Sequence, residues 1–261
     1  EVGDYQSDKY IILHNNDTQT VYLDGLCFGT LAPYNSNSTN PWGKIMDFAP
    51  IIQALWQFGG NGTSFPLESG QDAVLCLNGA IDHTVQYPLS VNLNKPEYFV
   101  CYNNTYFTNK TYHPAPGDRI SSERILDVVI KVGIANAYAF SISSPTVIIF
   151  RPLDTTIQEH IRKNDTVIPI PGSSRENVVT IPWEWILEGV EVFNGSTTSN
   201  NKRIRADVDS GFITLSDTFL GHSLSRKIDE QASLSNGYTV LMDTNNSSND
   251  FVELEKATLH E

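Results

Sequence analysis

Short runs rich in β-branched and aromatic residues alternate along the chain with clusters of Asn, Asp, Gly and Ser. Five of these runs are Tyr10–His14, residues 73–77, residues 125–132, Thr146–Phe150 and residues 178–181. Apolar runs of this length bounded by turn-forming residues predict β-strands. Many short strands at regular spacing favour an all-β sandwich with loop insertions and one or two short helices.

Turn-forming residues between the first two runs predict a hairpin. Asn15-Asn-Asp17 separates Tyr10–His14 from the second run, residues 20–23. Two short β-rich runs joined by an Asn/Asp turn are typical of an antiparallel pair.

One segment departs from the strand pattern. Within residues 46–58, apolar side chains recur at helical spacing: Ile51, Ile52, Leu55 and Trp56. Because Asp47 can also cap the start, we expect a short helix there, inside an insertion at about residues 30–60. Residues 157–161 predict one further helical turn, and about residues 103–124 a long loop.

Composition and charge narrow the class of protein. The chain has 261 residues, of which 40% are hydrophobic, enough to bury a sizeable core. Its net charge of -13 disfavours nucleic-acid binding, because an acidic surface repels phosphates. The basic run Lys202-Arg-Ile-Arg205 is more typical of a solvated loop than of a binding patch.

Three cysteines, Cys27, Cys76 and Cys101, occur in the chain. Cys27 and Cys76 lie in apolar, strand-like runs, where buried free thiols are expected. An odd number argues against a disulfide scaffold, although one bridge and one free thiol stay open. No Cys/His spacing predicts zinc, and no Gly-rich phosphate loop predicts a nucleotide cofactor.

Four segments together resemble the lamin-tail domain, an immunoglobulin-like sandwich. They are residues 10–26, residues 65–75, residues 144–150, and Ser223-Leu-Ser-Arg226 with the closing loop, residues 243–251. The resemblance implies one domain over residues 1–261.

The whole chain resembles more closely an uncharacterised family of surface lipoproteins from Bacteroides-type bacteria. The shared features are Tyr22-Leu-Asp-Gly25, Gln53-Ala-Leu-Trp56, Ala80-Ile-Asp-His83, residues 181–186 and the closing loop. This resemblance implies export and a lipid anchor at the outer membrane or cell surface, but no reaction. The start at Glu1 without Met fits a processed chain, from which a signal or an anchoring Cys has been removed.

The closing loop offers a calcium interpretation and a structural one. Oxygen side chains alternate at Asp243, Asn245 and Ser247 and recur at Asp250, as at the start of an EF-hand loop. That loop also needs Gly at its sixth position and Glu at its twelfth, where this chain has Ser248 and Leu254. We therefore expect a structural turn without metal, after which Phe251 folds back toward the core.

No catalytic constellation is predicted. The six histidines lie at no metal spacing, and His222 accompanies serines without a nucleophile elbow. Glu184 and Glu188 could imitate a glycosidase pair, but among 30 acidic residues such spacings arise by chance.

The best ligand signal is aromatic. Trp42 lies in the loop of residues 35–43, with Tyr34 and Asn40 nearby. An exposed Trp beside amides can stack on a sugar face and bond its hydroxyls. The alternative is that Trp42 packs on the predicted helix. Trp183 and Trp185, two apart on a predicted strand, are expected in the core.

These patterns predict a non-catalytic, exported accessory or binding module, whose partner is a glycan or an envelope protein. The first alternative is a glycoside-type hydrolase whose acid pair assembles only in the fold. The second is a purely structural envelope protein. A deep pocket with convergent acids or His would favour the hydrolase, and a shallow aromatic platform the binder.

Overall fold

The structure, a computed structural model, describes residues 8–259. The strands are β1 (Tyr10–His14), β2 (Val21–Tyr22), β3 (Cys27–Leu31), β4 (Phe48–Gln57), β5 (Pro66–Leu67), β6 (Asp72–Cys76), β7 (Phe99–Val100), β8 (Asp127–Lys131), β9 (Thr146–Phe150), β10 (Val167–Pro169), β11 (Asn177–Pro182), β12 (Ile186–Phe193), β13 (Ile213–Thr214), β14 (Ser223–Arg226) and β15 (Phe251–Leu254). The helices are α1 (Ile157–His160), α2 (Glu230–Asn236) and α3 (Ser247–Asp250), with 3-10 turns at Ser122–Arg124 and Trp183–Trp185. The all-β class and the helical turn near residue 157 are confirmed.

Two sheets and two ribbons make up the fold. The large sheet has the order β10-β11-β4-β3-β9-β12-β13, and β8 also pairs with β4. The small sheet has the order β1-β6-β7, and the ribbons are β2-β5 and β14-β15. Among the strands of residues 8–259, β1 pairs with β6 alone and is therefore an edge strand.

Alternating side chains of the large sheet build two cores, one on each face. Phe28 and Trp56 pack with Leu75 and Phe99 of the small sheet, so this core lies between the two sheets. On the opposite face, a second core of large-sheet residues is covered by α1 and the 3-10 turn at Trp183–Trp185. A third core covers the outer face of the small sheet.

The helix predicted at residues 46–58 is wrong, because this segment contains strand β4. Residues four apart share a face in a strand as they do in a helix, so Ile51 and Leu55 fit both patterns. β4 lies between β3 and β11, and its central residues are buried on both faces. Pro50, which would interrupt a helix, is the signal that favoured a strand.

The hairpin predicted between residues 10–14 and 20–23 is also wrong. β1 pairs with β6, and β2 pairs with β5, both antiparallel. The Asn15 side-chain amide donates to the carbonyl oxygens of Gln19 and Leu67. It thereby joins the turn after β1 to the distant residue Leu67. The local turn pattern does not predict this contact.

The predicted strand through Trp183 and Trp185 is a 3-10 turn instead. Both indoles are buried in the second core, as expected. Trp183 donates through Nε1 to the Met46 carbonyl oxygen at 2.9 Å, and Trp185 packs edge-on against His160.

Candidate binding cleft

A cleft of about 580 Å³ lies between the edge of the small sheet and the large sheet. Strand β1 forms one wall, β9 and β12 form the other, and β14 with residues 215–222 closes it. Most of its lining is apolar and includes Ile149, Leu187, Phe219, Leu224 and Phe251. Its size lies within the range of small-molecule sites, roughly 300–1,000 Å³.

Large apolar side chains are also exposed around this cleft. Leu187 is 60% exposed, and Tyr87, Leu89 and Ile142 are each more than a third exposed. A contiguous apolar surface of this kind marks a binding site more often than scattered single residues do.

One cation organises the polar end of the cleft. Arg226, at the end of β14, donates through Nη2 to Glu188 Oε2 at 2.6 Å and through Nη1 to the Met242 carbonyl oxygen at 2.6 Å. Asp243 and Asp250 lie 3.7 and 3.5 Å from Nη1. The guanidinium also stacks on Phe251, 4.8 Å from the ring centre. A single positive charge is thus shared by three carboxylates.

Glu188 has an unusual titration. Burial raises the pKa of this carboxyl from 4.5 to about 7, in spite of the Arg226 guanidinium that opposes the shift. Asp243 adds a like charge nearby and raises the pKa further. The backbone N–H of Gly189 donates to Oε1 at 2.7 Å and fixes the carboxyl in the cleft wall.

Two histidines line the same cleft, each beside a carboxylate. His14 Nδ1 lies 2.7 Å from Asp72 Oδ1, and its Nε2 lies 2.9 Å from the Thr239 carbonyl oxygen. Burial alone lowers the pKa of His14, but these two acceptors raise it above its usual value. His222 Nδ1 lies 2.5 Å from Glu253 Oε1.

The closing loop is a hydrogen-bonded turn that supports this end of the cleft. The Asp250 carboxylate accepts from the N–H and hydroxyl of Thr244, and Asp243 accepts from the N–H of Asn245. Phe251 begins β15, which runs antiparallel to β14. The two strands pair from Phe251 opposite Arg226 to Leu254 opposite Ser223. Within residues 8–259, no group of three or more His, Cys, Asp or Glu side chains could hold a metal ion.

The three predicted sugar-binding residues lie outside this cleft. Tyr34 is 40% exposed and borders a smaller depression with Tyr112 and Asn136. Trp42 is partly buried, edge-on against Phe48. The Asn40 amide is used inside its own loop, where Oδ1 accepts from Trp42 N–H and Nδ2 donates to the Lys44 carbonyl oxygen. Sugar binding at this loop stays a prediction.

One other prediction about charged residues is wrong. Lys202-Arg-Ile-Arg205 is no solvated loop, since Arg203 is 2% exposed and bonds Glu191. Glu184 is exposed and does not line the cleft with Glu188. The sequence does not predict the cleft, because its walls come from segments that are far apart along the chain. The local signal for a binding site is the apolar Leu187 next to Glu188.

Comparisons with known proteins identify the family and the fold. A family model described as a protein of unknown function (DUF4876) matches residues 68–258. No curated protein matches the chain. A solved structure, that of a DUF4876 family protein from Bacteroides thetaiotaomicron VPI-5482, is similar with a TM-score of 0.76 and 23% identity. The match covers 96% of this chain and 66% of that protein's length, so the chain spans slightly less than two thirds of it.

Proposed function

The chain belongs to the DUF4876 family of proteins of unknown function, and we propose that it is a non-catalytic binding module whose cleft holds an apolar group of a ligand. The observation that carries this proposal is the cleft itself, with an apolar lining and exposed apolar residues around it. The exposed apolar side chains around the cleft support binding. Covering them with a ligand would stabilise the complex by roughly 25 cal/mol per Å² of apolar surface buried.

The type of β-sandwich and the cellular location of the protein are further parts of this proposal. We assign the two packed sheets to the lamin-tail-like, immunoglobulin-type sandwich, and the protein to the bacterial surface through a lipid anchor. The resemblance of the closing loop and of Tyr22-Leu-Asp-Gly25 supports the first assignment, and the Bacteroides relative is compatible with the second. Within residues 8–259, no helix is long and apolar enough to span a membrane.

A titration with the neutral apolar dye Nile red tests the cleft. We expect saturable fluorescence enhancement, weakened at least about tenfold by Leu187→Asn, because the substitution puts an amide into the apolar rim. Leu234→Asn is the matched control, since Leu234 is 80% exposed on α2 and does not line the cleft. Equal dye binding by all three proteins, or none by the wild type, would refute the proposal.

Glycoside hydrolysis is the second candidate. The cleft brings acids and histidines together, among them Glu188, Asp243 and His222, which is the arrangement expected of a hydrolase. A cleft carboxyl with a pKa of about 7, as at Glu188, suits a general acid. Against it, Arg226 already holds this carboxyl. A panel of 4-nitrophenyl glycosides decides between the two: hydrolysis abolished by Glu188→Gln would replace the binding proposal.

A further inference from the structure

The free edge of β1 faces the cleft. Leu77 N–H donates to the Lys9 carbonyl oxygen, and Asn15 N–H donates to that of Gln71. In an antiparallel ladder the bonded residues alternate, so the odd-numbered residues of β1 bond β6. The N–H and C=O groups of Tyr10, Ile12 and His14 therefore point to the other side, where β1 lines the cleft.

These outward groups are unoccupied. Within the described residues, the backbone N–H and C=O of Ile12 have no hydrogen-bond partner, and neither do those of Tyr10 and His14. Side chains at both ends are tethered instead: the Tyr10 hydroxyl bonds Thr258, and His14 bonds the Thr239 carbonyl oxygen. Within residues 8–259, no strand pairs with the edge between these two residues, and an unpaired strand edge is a template for another strand.

The surroundings suit an extended polypeptide. Successive side chains of a strand point to opposite faces, so alternate residues of an added strand would enter the apolar cleft. Besides Tyr10 and Tyr87, the titratable groups facing the cleft are the carboxyls of Asp8, Glu188, Asp217 and Asp243, the cations Lys9 and Arg226, and His14 and His222. Carboxyls outnumber permanent cations there, which favours a segment with a basic residue.

We propose that the cleft receives an extended segment of a partner protein, which adds to β1 as a fourth strand of the small sheet. Its apolar side chains enter the cleft, and a Lys or Arg reaches the acidic end at Asp243, whose side chain is 46% exposed. The main-chain bonds supply affinity, and the apolar cleft with its acidic end supplies specificity. This inference rests on the proposed binding function and names its partner class.

Selection from a phage-displayed library of random short peptides tests the proposal on the whole chain. Enriched peptides should alternate apolar residues and carry Lys or Arg toward one end. On binding, hydrogen exchange at the Ile12 and His14 amides should slow, whereas the Ile11 and Leu13 amides, already bonded to β6, should change little. Asp243→Asn should weaken the preference for a basic residue.

N-methylated versions of the best peptide provide the matched control. Methylating the alternate amides that face β1 should weaken binding about tenfold or more, and methylating the other set should not. No enriched peptide, or binding without protection of Ile12 and equal for both methylated forms, would overturn the strand proposal. If Nile red still binds, only that proposal fails; if it does not, the proposed function fails as well.

Discussion

At the scale of single residues, Arg226 decides the electrostatics of the cleft. Glu188, Asp243 and Asp250 share its one positive charge, and Asp250 is only 1% exposed. A buried carboxylate left without its cation is costly, because the lost attraction no longer offsets its desolvation. Phe251 beneath the guanidinium adds packing to the same contact.

Arg226→Ala should therefore lower the free energy of unfolding by about 2 to 3 kcal/mol, measured by urea denaturation. Arg205→Ala is the matched control, since its ion pair with Asp207 is exposed and should contribute under about 1 kcal/mol. Equal effects of the two substitutions would show that Arg226 has no special role.

Glu188 should make stability depend on pH. Its pKa is raised by burial from 4.5 to about 7, so the folded protein binds the proton more tightly than the unfolded chain. Its stabilising contribution is complete below pH 4.5 and is lost as pH rises through about 7. Glu188→Gln should reduce this decline in urea midpoints, and Glu184→Gln, at an exposed position, should not. An unchanged decline in Glu188→Gln would contradict the assignment.

At the scale of elements, Asp24 joins two turns. Its carboxylate accepts the N–H groups of Gly62, Ser64 and Phe65 at 2.8 to 3.0 Å. Burial raises the pKa of Asp24, but these three donors outweigh it and lower the pKa below 3.8. Its stabilising contribution is therefore present above pH 3.8 and lost as the pH falls below it.

Asp24→Asn should destabilise the protein by about 2 kcal/mol, because an amide N–H₂ would face a backbone N–H that has lost its acceptor. Asp17→Asn, in an exposed turn where the carboxylate accepts from Gln19 N–H, should change the urea midpoint little. A similar loss in both variants would mean that the bonds of Asp24 contribute nothing specific.

Elements with local signals could be predicted from the sequence, and their pairings could not. β1 and β9 form at the predicted residues, because β-branched runs between turn residues leave little alternative. The sequence predicts a helix in place of β4, because a strand buried on both faces lacks the alternation of apolar and polar residues. The partners of β1 and β2 lie about 60 and 45 positions further along, beyond any turn pattern.

At the scale of the whole molecule, the three thiols lie in separate cores. Cys27 is in the second core, Cys76 in the third and Cys101 in the first, although the Cys101 N–H, directly after β7, donates to the Cys76 carbonyl oxygen. Opposite faces of one sheet hold these two side chains apart, so a bridge requires repacking. All three cysteines are free, and burial raises their pKa values.

We expect dithiothreitol to leave the melting temperature unchanged. Iodoacetamide should label the native protein slowly and all three cysteines in urea, as counted by intact mass. A mass two hydrogens lower before reduction would reveal a disulfide and contradict this arrangement.

The cleft could be predicted only in fragments. In the sequence, Arg226 and the closing loop indicate a fold, and Glu188 is one acidic residue among many. Their convergence depends on contacts between β12 and β14, 38 positions apart in the case of Glu188 and Arg226. The apolar walls depend on which strands lie at the edge of a sheet. This is decided by strand pairing and cannot be read from the local sequence of one strand.

We propose that this cleft binds a ligand that carries an apolar group next to its own positive charge. The most direct test is methyl NMR during titration with 2-naphthylmethylamine, compared with 2-naphthoate. We expect saturable shifts at Ile149, Leu187 and Leu224, little change at Ile51 and Leu55 in the second core, and tighter binding of the amine. Shifts away from the cleft, no shifts, or tighter binding of the carboxylate would contradict it.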